Sequence, residues 1–208
     1  MLWGVLMKQI DWSLFQPTVR VLAIEETPLD WIWNNFKVIL IDVDNTLVKH
    51  NSNIINSNKI RWIRALRERN NFDHTATKIA LMTNNYNGTH IEMVADDIDA
   101  DSVVKGRWPV FYKCWNPWVI ADTLFRKPIR QTIEHFGVKP SEIAVFNDSY
   151  IIACAANMEN VGASILVEPI CRQSEKTSTL IQLGRLVEQK IIIPKLQELQ
   201  VNQKQPGD

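Results

Sequence analysis

One stretch limits what this chain can fold into more than any other: the apolar run Val38-Ile39-Leu40-Ile41, which stops on Asp42-Val43-Asp44. A short, mostly β-branched run that ends on acidic residues reads as a buried strand presenting carboxylates at its C-terminal edge. In an open α/β sheet that edge is where ligands bind. Side chains alternate along an extended chain, so Asp42 and Asp44 fall on one side, near enough to share a divalent cation or a phosphoryl group. A solvated acidic turn is the plainer alternative. An EF-hand is a poor fit, because Leu47 stands where that loop needs Gly and Asn53 where it needs a bidentate Glu.

The same pattern recurs downstream. Lys78 to Met82 is a second buried strand ending on Thr83-Asn84-Asn85, and Ile143 to Phe146 another ending on Asn147-Asp148. Val19 to Leu22 and Val103-Val104 are further strand candidates. Between them lie helical patterns. Thr27 and Pro28 form an N-cap and first-turn pair for a helix over Leu29 to Asn35. Ser57 caps a helix to about Arg69, with Ile60, Ile63 and Leu66 at helical spacing and Arg61, Arg64, Arg67 and Arg69 mainly on the solvated faces. A helix covers about Ile91 to Asp97. Another opens at Lys127-Pro128 and stops at Gly137. The interval between Leu47 and Lys78 has room for a helix but not for a large cap domain.

Three segments follow. Residues 1–36 form an N-terminal extension packing on the core, 37–170 the core domain, and 171–208 an amphipathic helix from about Ser178 with a frayed tail. The helix stripe is Leu180, Leu183, Leu186, Val187 and Ile191, and Pro194 should kink or divide it. Within the core, an insert over about 99–125 carries Trp108, Phe111, Tyr112, Trp115 and Trp118. Such a cluster is a satellite core, a lid over a pocket, or a contact for lipid head groups or a partner protein.

The chain of 208 residues holds 23 basic and 23 acidic side chains, so no overall charge draws it to nucleic acid or an anionic membrane, and no nucleic-acid partner is expected. Cys114, Cys154 and Cys171 make no close-spaced metal pattern and no even-numbered disulfide framework, which fits a reducing, cytoplasmic setting. No apolar run approaches the roughly 18 residues of a membrane span. Met1 to Met7 is apolar without the basic flank of a signal peptide and reads as packing surface.

The apolar strand followed by Asp42-Val43-Asp44-Asn45-Thr46 resembles the D-x-D-x-T motif of the haloacid dehalogenase-like (HAD) superfamily of phosphatases and phosphotransferases. Thr83-Asn84-Asn85, the Lys127-Pro128 pair and a leader ending in a short helix are similar to the YqeG-like branch, subfamily IIIA, which includes phosphatidylglycerophosphate phosphatases. The resemblance runs from about Val19 to Leu196 and is weakest between His90 and Phe125. It implies an α/β fold: a Rossmann-like three-layer sandwich with a mainly parallel central sheet.

The resemblance also implies a magnesium-dependent phosphatase working through an aspartyl-phosphate. Asp42 would be the nucleophile and Asp44 the acid and base. Thr83, Lys127 and backbone N–H groups near Val43 to Asn45 would hold the phosphate, with Arg126 a second basic candidate. Asn45, Thr46 and Asn84 would contact substrate. Mg2+ would bind to Asp42, the carbonyl of Asp44 and Asp148. The substrate class is a phosphorylated small molecule or lipid head group, with nucleotides and sugar phosphates as alternatives. Peripheral membrane or protein contact would run through the C-terminal helix or the Trp-rich insert.

Two positions depart from the family pattern. Asn147 replaces a Gly, which Asn tolerates where the backbone is left-handed. Ala153 replaces a second Asp that would orient the metal's waters or the Lys, so magnesium affinity should fall by about tenfold. That loss keeps open a catalytically silent binding or assembly domain.

Overall fold

The computed structural model describes residues 10–50, 52–70, 77–84, 88–106, 121–170 and 185–203. Among them six strands form one sheet: β1 (Val19–Val21), β2 (Val38–Asp42), β3 (Lys78–Thr83), β4 (Ser102–Lys105), β5 (Ile143–Asn147) and β6 (Ala163–Val167). Their order is β1-β6-β5-β2-β3-β4, and every pairing is parallel. Strands in a parallel sheet are covered on both faces, and the five residues of β2 are all buried.

Alternation divides the sheet between two cores. Ile39, Ile41, Ile79, Leu81, Phe146 and Ile165 face one layer, where they meet helix α1 (Leu29–Asn35), α2 (Ser57–Asn70) and α3 (Gly88–Asp97). Val38, Leu40, Ala80, Met82 and Val145 face the other, under α4 (Lys127–Phe136) and α5 (Tyr150–Met158). The handedness of βαβ crossovers explains the arrangement. Moving outward from β2 through β3 to β4 puts α2 and α3 on one face. Returning through β5 to β6 puts α4 and α5 on the opposite face. The direction therefore reverses between β2 and β5, which makes that boundary the switch point of the sheet. This is a Rossmann-type three-layer α/β sandwich.

The N-terminal extension contributes a strand as well as packing surface. β1 pairs with β6, Val19 opposite Ile165, and Phe15 is fully buried beside α5. The last helix, α6 (Ile193–Gln203), follows a π-helical turn at Glu188–Ile192. Pro194 lies in the first turn of α6, so the division falls just ahead of it. Val187, Ile192 and Leu196 pack into the core, but Leu186 of the expected stripe is 50% exposed. Leu180 and Leu183 lie outside the described residues, as do the aromatic cluster 107–120, Cys114, Cys171 and residues 1–9. No helix among the described residues is long and apolar enough to cross a membrane.

Local details differ from the expectations in ways that have physical causes. The cap of α1 is Pro28, not Thr27; the Thr27 hydroxyl is buried without a hydrogen-bond partner among the described residues, while its carbonyl accepts from Trp62 Nε1 at 2.9 Å. Helix α2 is capped one residue early, by Asn56 Oδ1 accepting from the N–H of Asn58 at 2.8 Å. Arg67 is not solvated: it donates to the carbonyls of Ile98 and Asp99 and to Asp101, tying α2 to the end of α3. Asn147 keeps an ordinary strand backbone, since the positive-φ residues other than Gly among those described are Asn45, Asp99 and Asn160. Its amide instead bridges two segments, Nδ2 donating to Ile165 O at 3.4 Å and Oδ1 accepting from Ser149 N at 3.0 Å. Gly at this position would lose both bonds.

Candidate active site

Register brings the predicted residues together. Asp42, the last residue of β2, lies opposite Met82 of β3, so Thr83 is one step beyond it; Ile41 lies opposite Phe146 of β5, two residues ahead of Asp148. Asp42, Thr83 and Asp148 therefore stand at the C-terminal ends of three adjacent strands, around the switch point. All three are buried, Asp42 at 8% exposure and Asp148 at 7%.

Burying carboxylates together disfavours their charged forms. Burial first, then Asp148, then Asp44 hold Asp42 well above the usual carboxylate range, with Arg185 pulling it back. Burial also pushes Asp148 up to about 6, Arg185 opposing and Glu188 assisting. The centre is a concentration of negative charge that a cation would relieve.

The turn after β2 is built by its own backbone. Leu47 and Val48 both donate to the carbonyl of Val43, at 3.0 and 3.1 Å, and Asn45 adopts φ +65° with its N–H on Val48 O at 2.7 Å. Asn is among the few residues that accept this conformation. Val43 N–H goes to Met82 O at 3.1 Å. The N–H groups of Val43 and Asn45, expected to face phosphate, are thus engaged within the protein. Two polar atoms of the turn, Asn45 Oδ1 and Thr46 Oγ1, are buried with no hydrogen-bond partner among the described residues.

Beyond the turn, Asp44 meets two histidines: its Oδ1 lies 3.2 Å from His50 Nδ1 and 3.9 Å from His90 Nε2. From α2, the buried Lys59 donates through Nζ to the carbonyl of Thr46. Its ammonium loses charge stability to burial, which Glu25 partly offsets.

The two basic residues expected on the phosphate sit differently. Lys127 starts α4 with an exposed side chain and makes no hydrogen bond or ion pair among the described residues. Arg126 is bound to Asp122 and Glu159. Asn84, half-buried, follows Thr83 at the end of β3. The cation that does reach the acidic centre is Arg185, which pairs with Asp148 Oδ2 and also donates to the Asp148 carbonyl at 2.7 Å. Glu188, 4% exposed, accepts from Arg185 at 2.9 Å and from Ser149 Oγ, the N-cap of α5.

Arg185, Glu188, His50 and Lys59 were not singled out by sequence. Lys59 left a signal, because it falls four residues before Ile63 and seven before Leu66, on the apolar face of α2. Arg185 and Glu188 left none: they read as the polar face of an amphipathic helix.

The donor set fits a hard divalent cation. Asp42 and Asp148 are buried carboxylates whose charges repel, and a small divalent ion such as Mg2+ is commonly held by one or two carboxylates with waters and substrate oxygens. No group of three or more His, Cys, Asp or Glu side chains suited to a metal occurs among the described residues. A site of two carboxylates and the Asp44 carbonyl does not require one.

Fold and site define an α/β protein with an acidic, oxygen-lined centre at the switch point of a parallel sheet. No family model matches the sequence, and no curated protein matches it. Solved structures do align with it. The cobalt-bound deoxy-D-mannose-octulosonate 8-phosphate phosphatase of Haemophilus influenzae shares 11% identity over 76% of this chain and 90% of that one, with a TM-score of 0.43. CbbY of Rhodobacter sphaeroides in complex with phosphate shares 13% over 69% and 91%, at 0.41. A HAD-superfamily hydrolase of Geobacter sulfurreducens shares 13% over 64% and 95%, at 0.38. At these identities and scores the likenesses carry no argument about what this chain acts on.

Proposed function

We propose that this chain is a HAD-type phosphatase that hydrolyses a phosphate monoester through a covalent intermediate on Asp42. The observation that carries the reading is the convergence of Asp42, Thr83 and Asp148 on three neighbouring strand ends, with Asp44 on the turn beside them. Asp42 attacks phosphorus and the bond to the ester oxygen breaks, while Asp44 gives its proton to the departing oxygen. Water then attacks the aspartyl-phosphate, Asp44 takes its proton, the bond to Asp42 breaks and inorganic phosphate leaves. The Thr83 and Thr46 hydroxyls are donors suited to the non-bridging oxygens. Asp42, Asp148 and the Asp44 carbonyl would hold Mg2+, which supplies charge neutralisation at the transferring phosphoryl group.

The YqeG-like resemblance extends the proposal to a phosphatidylglycerophosphate-like lipid, with nucleotides and sugar phosphates as the other classes. A second reading, a silent binding or assembly domain, draws on Ala153 and on the guanidinium already seated on Asp148. Hydrolysis of an aryl phosphate and of a panel of lipid, nucleotide and sugar phosphates, with and without magnesium, separates the two. Activity that requires magnesium and disappears in Asp42→Asn supports the phosphatase. No turnover of any substrate overturns it in favour of the silent domain.

A further inference from the structure

We propose that Arg185, positioned by Glu188, is the oxyanion-binding cation of this site, so that the C-terminal segment is part of the phosphate-binding machinery. The inference rests on the phosphatase reading and names the cation that reading leaves unassigned.

The geometry is specific. Arg185 approaches from a segment 37 residues beyond Asp148 and makes two bonds to that residue, one to its carboxylate and one to its carbonyl. A third bond goes to Glu188 Oε2 at 2.9 Å. A guanidinium has five N–H donors in a planar fork. Three are engaged, which leaves two without a bond among the described residues for the oxygens of a tetrahedral anion. The charge is felt at Asp42, whose carboxylate oxygen would meet phosphorus, and Arg185 is the cation that favours the charged form of that carboxyl.

Glu188 makes the placement rigid. Its Oε1 accepts from Ser149 Oγ and lies 3.5 Å from the N–H of Ile151, at the amino end of α5, where a carboxylate is favoured by the helix dipole. Its other oxygen holds Arg185. Val187 and Ile192, flanking Glu188, are buried in the core and pin the π-helical turn that carries it. Lys127 makes no comparable contact among the described residues.

Binding of inorganic phosphate to the full chain, followed by calorimetry in EDTA, tests the assignment, with aryl phosphate kinetics alongside. Arg185→Gln should weaken phosphate binding at least tenfold and raise KM. Arg185→Lys should recover part of the loss, and Lys127→Gln should weaken binding less than Arg185→Gln does. Glu188→Gln should weaken it through Arg185, and Arg185→Lys should then rescue nothing in that background. Arg185→Gln leaves two buried carboxylates unneutralised, so far-UV circular dichroism and the double variant Arg185→Gln/Glu188→Gln, which has one fewer, guard against unfolding. Phosphate binding unchanged in a folded Arg185→Gln chain that still hydrolyses substrate overturns the role of Arg185 and leaves the phosphatase standing. A wild-type chain that neither binds phosphate nor hydrolyses any monoester overturns both.

Discussion

Burial, and then Asp148 across the β2–β5 boundary, hold the Asp42 carboxyl well above its ordinary range. A carboxylate whose folded pKa exceeds its unfolded value binds more protons in the folded state, so its contribution to stability falls as pH rises through that interval. Asn has the same shape and no charge. Asp42→Asn should therefore be more stable than the wild-type chain at pH 7 in EDTA, and the two should converge below about pH 4, where the unfolded carboxyl is also protonated. Each kcal/mol gained would raise Tm by about 2–4 °C for a chain of this size. Thermal melts at the two pH values check this; equal Tm at pH 7 would mean that the Asp42 carboxyl carries no burden. The same variant should have no phosphatase activity, a trade of function against stability.

Asp148, pushed up to about 6, gives the metal a pH signature. Divalent ions bind the deprotonated carboxylates, so Mg2+ should stabilise the chain at pH 7.5 and do little at pH 5. An ion at 100 times its Kd contributes about 2.7 kcal/mol. Asp148→Asn should remove most of the gain. Scanning calorimetry with and without magnesium reads both effects, and a gain of equal size at the two pH values would contradict the ligand assignment.

How much of this was legible in the sequence depends on how local the signal is. β2, β3, β5 and β6 are near-continuous apolar runs because a parallel sheet covers both faces, and the acids at their ends stand out against that background. Thr83 and Asp148 also lie at the ends of such runs, and it was the resemblance that gave them roles. Arg185 was not legible, because periodicity assigns a side chain to a face of its own helix and cannot tell whether that face looks at solvent or at a strand end 37 residues earlier in the chain. Leu186 shows the same limit from the other side, an apolar residue left 50% exposed beside it. Asn147 was read through its backbone, when its side-chain amide is what the structure uses.

Gly162 answers to packing. A Cβ there would lie 2.1 Å from the carbonyl oxygen of Ser141 and 2.8 Å from Phe36 Cε1. The first contact is with backbone, which yields less readily than a side chain. Gly162→Ala must push β6 away from the start of β5, and overpacking of this kind typically costs about 1–3 kcal/mol. Urea denaturation should show that loss with an unchanged m-value. Since Asp148 follows directly on β5, phosphatase activity should fall with it.

Lys59 links stability to the turn after β2. Its buried ammonium donates to the carbonyl of Thr46, two residues past Asp44. Lys59→Met keeps the length and apolar character of the side chain but leaves that carbonyl without its donor. Two effects oppose each other. Burial lowers the pKa of Lys59, so below its unfolded value the native state carries a penalty that Met removes. Against this, a buried carbonyl left unsatisfied costs about 1–3 kcal/mol. Glu25 already offsets part of the first effect, so the second should win and the variant should be less stable. The turn should also loosen, with faster amide hydrogen exchange at residues 45, 47 and 48, whose N–H groups close it. Because Asp44 is carried by the turn, kcat should fall more than KM rises. A variant with native exchange in the turn and native kcat would assign Lys59 to packing alone.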